Sequence, residues 1–68
     1  MITHILERRL REEQWGEWEK LGTGYTSFNA AKQAAKQDFG EAVKFAKKSR
    51  QHWTAQPDED FRYRINKA

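Results

Sequence analysis

Residues 28–53 read FNAAKQAAKQDFGEAVKFAKKSRQHW, and the way this stretch folds decides the fold of the chain. Phe28, Ala31, Ala35, Phe39, Ala42, Ala46, Ser49 and Trp53 succeed one another at spacings of three or four, which only a helix brings to one side. Lys, Gln, Asn and Glu fill most of the positions between them, so the segment is amphipathic and needs an apolar surface to lie against. Thr26 or Ser27 is placed to cap its start. Gly40 interrupts the pattern at a cost of about 1 kcal/mol relative to Ala, and Asp38 before it offers a cap for a second helix. Because the stripe keeps its phase across the glycine, the spacing predicts one helix over 27–53, bent at Gly40.

Toward the C-terminus, Phe61, Tyr63 and Ile65 alternate with Arg62, Arg64 and Asn66, which predicts a strand over 61–66. A strand needs a partner, and the N-terminal region is the remaining source within the monomer. The first 21 residues support two readings. As a helix, Ile2, Ile5, Leu6 and Leu10 share a side, and Glu7 with Arg11 or Arg8 with Glu12 pair four apart. As strands, residues 4–10 and 15–21 flank a turn over 11–14. The need of the last strand for a partner favours a hairpin over 4–21. The expected fold is therefore α+β: a small ββαβ domain whose three-stranded antiparallel sheet carries the long helix across one face. The alternative is a mostly α-helical chain with an extended tail at 61–66. Residues 22–24, Gly-Thr-Gly, break the chain before the helix, and Pro57 followed by Asp58, Glu59 and Asp60 reads as a wet turn after it.

At 68 residues the chain is expected to form one domain with a modest core. It has no cysteine, which excludes disulfide staples and thiol chemistry, so three Trp, four Phe and two Tyr must supply much of the packing. A formal charge of +3 is weakly basic and permits an anionic partner without requiring one. No apolar run approaches the roughly 20 residues that span a bilayer. A soluble, cytoplasmic protein without membrane contact is expected.

Nothing in the spacing selects a catalytic, cofactor or metal site. His4 and His52 are far apart and stand in no metal-ligand pattern. The glycines at 22 and 24 lack the Gly-Lys-Ser or Gly-Lys-Thr of a phosphate loop, and the acidic run at 58–60 lacks the longer ligand pattern of a calcium loop. The chain is therefore expected not to be an enzyme. The favoured reading is a small protein-interaction module, an adaptor or inhibitor, with Trp15, Trp18 and Tyr25 as anchors, and a homodimer along an open sheet edge falls under it. The alternative is a DNA- or RNA-binding protein that contacts phosphates through Lys32, Lys36, Lys47 and Arg50 on one helix flank. Arg62 and Arg64 on the outer face of the last strand would join them. Lys44 and Lys48 fall further round the back of the same helix.

Overall fold

A computed structural model describes residues 1–11 and 16–68. Its elements run β1 (His4–Leu10), β2 (Glu19–Lys20), α1 (Phe28–Asp38), β3 (Ala46–Ser49), β4 (His52–Asp58) and β5 (Phe61–Lys67). The strands form one antiparallel sheet in the order β2-β1-β5-β4-β3, and α1 packs on one face of it. The expectation of a three-stranded ββαβ sheet is thus corrected: the class is α+β, and the described residues form one helix and a five-stranded antiparallel sheet.

The helix begins as its sequence dictates. Ser27 is extended, and its Oγ accepts from the Ala30 backbone N–H at 3.1 Å, satisfying one of the donors left open at a helix start. Ala31 and Ala35 are fully buried, so the helix backbone lies close to the sheet. It ends 15 residues short of the expected 53, because the chain leaves helical geometry at Gly40, where φ is +140°. Beyond the glycine the period changes from helical to two. Val43 is fully buried and Phe45 packs on the core, while Ala42, Ala46 and Ser49, which prolong the helical spacing, are all exposed. The continued stripe was a coincidence of small residues whose burial is worth little.

This gives Gly40→Ala opposite signs in the two folds. Within one continuous helix the change would stabilise by about 1 kcal/mol. Here a Cβ would meet nothing within 4 Å, so only the positive φ matters, and an L side chain is strained there. A destabilisation of about 1–3 kcal/mol is expected, read as a lower urea midpoint. A raised midpoint would contradict the end of α1 at this position.

Strands β3 and β4 join through Arg50 and Gln51, and the Ser49 Oγ accepts from the Gln51 backbone N–H at 3.3 Å. Between β4 and β5, Asp58 Oδ1 accepts from the backbone N–H groups of Asp60, at 2.8 Å, and Phe61, at 3.0 Å, closing a tight turn around Glu59 and Asp60. Pro57 lies in β4 within the register shift between Ala55 and Asp58, where a residue without an N–H costs least. The acidic run is a hairpin turn, and the proline stands inside a strand.

Residues opposite one another in the sheet share a face. Leu6 stands opposite Ile65, Arg8 opposite Tyr63, Ala55 opposite Tyr63 and Trp53 opposite Ile65, and these form the inner face under α1. Leu6, Tyr63, Ile65, Val43, Ala31 and Ala35 are fully buried. Phe28 lies 4.7 Å from Trp53 and 6.1 Å from Phe45, ring centroid to centroid, and Phe39 lies 5.1 Å from Phe61, so aromatic contacts close both ends of the core. One polar cluster ties helix to sheet: Tyr63 Oη donates to Asp38 Oδ2 at 2.6 Å, and Arg8 Nη1 donates to the same carboxylate at 2.9 and 3.1 Å. Arg8 Nη2 reaches Glu19 at 3.3 Å, bringing β2 into the cluster. Burial works against the Arg8 charge, but Asp38 and Glu19 outweigh it and hold the guanidinium above its usual pKa. Among the described residues no helix is long and apolar enough to cross a membrane.

Candidate binding face

The sheet face away from α1 is built by the residues that alternate with the core. On β1 these are Glu7 and Arg9, on β5 Arg62, Arg64 and Asn66, and on β4 His52 and Thr54, each set by register: Glu7 opposite Arg64, Arg9 opposite Arg62, Thr54 opposite Arg64, His52 opposite Asn66. Polar contacts run across three strands. Arg64 Nε donates to Glu7 Oε1 at 2.7 Å, Asn66 Nδ2 donates to the same oxygen at 3.2 Å, and His52 Nδ1 lies 2.6 Å from Asn66 Oδ1. A carboxylate only accepts, so Glu7 fixes which way the Asn66 amide points, and the amide oxygen in turn assigns the proton to His52 Nδ1. These contacts tie β1, β5 and β4 together on this face.

Trp18, just before β2, lies over that layer. The Arg64 guanidinium carbon is 4.2 Å from the indole centroid and that of Arg9 is 5.0 Å, so two cations from β1 and β5 support one half-buried ring. Beside it a groove of about 460 Å³ crosses β5 and β4 to β3, walled by Trp18 on one side and by Lys44, Ala46 and Lys48 on the other. Arg62, Thr54 and Gln56 line it between those walls.

The far wall owes its charge to local sequence. Lys44, Ala46 and Lys48 alternate with Val43, Phe45 and Lys47, so the burial of Val43 and the packing of Phe45 turn Lys44 and Lys48 outward. The register shift between Lys47 and Ser49 leaves Lys48 with no residue opposite it on β4. No Asp or Glu occurs between Glu41 and Asp58, and neither Lys44 nor Lys48 has a carboxylate partner among the described residues. Among the described residues no group of three or more His, Cys, Asp or Glu is placed to hold a metal ion.

The residues singled out from sequence are dispersed. Trp18, Arg62 and Arg64 come together on this face. Trp15 lies outside the described residues. Tyr25 is half-buried against the core, and its backbone pairs with His4, accepting at 3.0 Å and donating at 2.9 Å, so it holds the edge of β1. Lys32 and Lys36 belong to α1, on the opposite side of the sheet: Lys32 Nζ is 6.0 Å from the Phe28 centroid and Lys36 Nζ is 3.5 Å from Glu41. Lys47 stands opposite Trp53 in β3, and Arg50 lies in the β3–β4 turn. The single basic helix flank therefore dissolves with the long helix that carried it. Lys44, Lys48, Arg9, Thr54 and Gln56 were missed. For the lysines the signal was present as the period of two from Val43 to Lys48, hidden by the coincident helical spacing.

No protein-family model matches the chain, and no curated protein or solved structure matches it either.

Proposed function

We propose that this chain is a non-enzymatic interaction module that takes a polyanionic partner on the outer face of its sheet. One observation carries the reading: exposed Lys44 and Lys48, without carboxylate partners among the described residues, wall a groove whose opposite wall is an indole laid on two arginines. Positive charge concentrated along a groove raises the local concentration of an anion and speeds its capture. The surface clusters of aromatic and charged side chains fit an interaction module in general, and the cations along the groove support this face. Tyr25, proposed from sequence as a docking anchor, is engaged in the fold, whereas Trp18 borders the groove. The lysines also disfavour a homodimer formed by joining two β3 edges, because Lys47 and Lys48 of each copy would meet like charges.

Retention on a heparin column tests the reading. Lys44→Glu with Lys48→Glu is expected to move elution to clearly lower salt, while Lys32→Glu with Lys36→Glu, which alters formal charge equally on the other side of the sheet, moves it much less. Equal shifts for the two pairs would show that only net charge matters and would remove the proposed face.

A further inference from the structure

Resting on that reading, we infer that the polyanion is a single-stranded nucleic acid, with a base stacked on Trp18 and the backbone crossing β5 and β4 to place phosphates at Lys44 and Lys48. Three features of the face lead there. The first is the pairing of an aromatic ring with cations at the two ends of one groove. Sheet neighbours lie roughly 4.8 Å apart, so β5 beneath Trp18 and β3 beneath the lysines are about 10 Å apart across β4. A flexible strand can lay a base at one end and phosphate charge at the other.

The second is the chemistry between the two ends. Thr54 and Gln56 offer a hydroxyl and an amide, groups that donate and accept hydrogen bonds as base edges and sugars require. A protein partner would instead be expected to find a desolvated apolar pocket at the centre of its contact, whereas Lys44, Lys48 and Arg62 bring three cations to this lining beside Trp18, Ala46, Ala55 and Tyr63. Addition of an acidic strand to β3 is also disfavoured, because the edge is four residues long and its register shifts between Lys47 and Ser49.

The third is the absence of any helix on this side among the described residues. The helix α1 lies against the inner face, so among the described residues no helix here is placed to enter a major groove about 12 Å wide, and a duplex, its bases stacked on one another, offers Trp18 no base face. A splayed strand does, because every base has a face to stack.

The test is fluorescence anisotropy of a labelled oligothymidylate and a labelled oligouridylate of about ten nucleotides, with a duplex of equal length and unlabelled poly-glutamate as comparisons. Tighter binding to the single strands than to the duplex is expected, with poly-glutamate a poor competitor. Trp18→Ala is expected to weaken binding about tenfold even though it uncovers Arg9 and Arg64, and Trp18→Phe, which keeps a stacking ring, to restore most of it. Lys44→Gln with Lys48→Gln is expected to reduce the slope of log affinity against log salt by about 1.4, two phosphates' worth for a single strand. If the heparin result holds but Trp18→Ala binds the oligonucleotides like the parent, no base stacks on Trp18, and if poly-glutamate displaces them at equal charge, the partner is an acidic polypeptide. This inference then fails while the proposed function stands. If neither heparin nor oligonucleotide binds, both fail.

Discussion

Tyr63→Ala is expected to lose about 3–5 kcal/mol of stability, the cost of replacing a large buried aromatic side chain, and to leave much of the protein unfolded at 25 °C. A chain of 68 residues has a total stability of only about 3–10 kcal/mol on the usual per-residue scale. Tyr63 is fully buried on β5, the central strand of the sheet, with its ring 6.4 Å from Phe39, and its hydroxyl meets the last residue of α1. Removal opens a cavity where sheet and helix meet and takes a donor from Asp38. Urea unfolding followed by near-ultraviolet circular dichroism reads the effect, and a midpoint close to that of the parent would contradict this packing.

Tyr63→Phe separates the hydroxyl from the ring. A cost of about 1 kcal/mol is expected at neutral pH, since Arg8 still pairs with Asp38. Burial raises the Tyr63 pKa, and the hydrogen bond to Asp38 and that carboxylate's charge raise it further. Because the folded value lies above the unfolded value of about 10, the resulting stability is fully present below about pH 10 and is lost as pH rises toward the folded value. Alkaline unfolding of the parent is therefore expected to include a contribution from Tyr63 that the Phe variant lacks. Identical alkaline profiles would show that the hydroxyl is not held by Asp38.

Leu6→Ala is the second large effect, with an expected loss of about 2–5 kcal/mol, and Ile5→Ala beside it should cost clearly less. Leu6 is fully buried opposite Ile65, whereas Ile5 is only partly buried and points to the outer face with Glu7. In the helical reading of the N-terminal region Ile5 and Leu6 share one apolar side, so the two truncations would be similarly damaging. The ratio of the two costs reports the period of β1 directly. Comparable urea midpoints for the two variants would argue for a helix there.

These residues show how much of the fold was legible and why the rest was not. The alternation Phe61, Tyr63, Ile65 announces β5, since an apolar face of large residues at period two is a strong local signal. The inner position of Leu6 was not legible: the same residues fit both periods, and only the demand of β5 for a neighbour favoured a strand. The candidate binding face was legible in part. Arg62 and Arg64 were assigned to the outside of the last strand from their alternation, but Trp18 reaches Arg64 only because β2 folds back on β1, with Glu7 opposite Lys20.

Sequence by itself determined the start of α1 at a cap from Thr26 or Ser27, the alanine face that lets the helix sit close to the sheet, the strand at the C-terminal end, and the concentration of cations after Glu41 with no acid before Asp58. Tertiary structure alone decided where the helix stops and which surface the cations occupy. Alanine and serine bury too little area to enforce a period, so the helical stripe from Ala42 to Ser49 had no energetic weight. The burial of Val43, the packing of Phe45 and the pairing of β4 with β5 did, and those terms exist only between residues distant in the chain. Once Gly40 takes a backbone angle closed to most residues, Lys44 and Lys48 move from the back of a predicted helix to the wall of a groove facing Trp18.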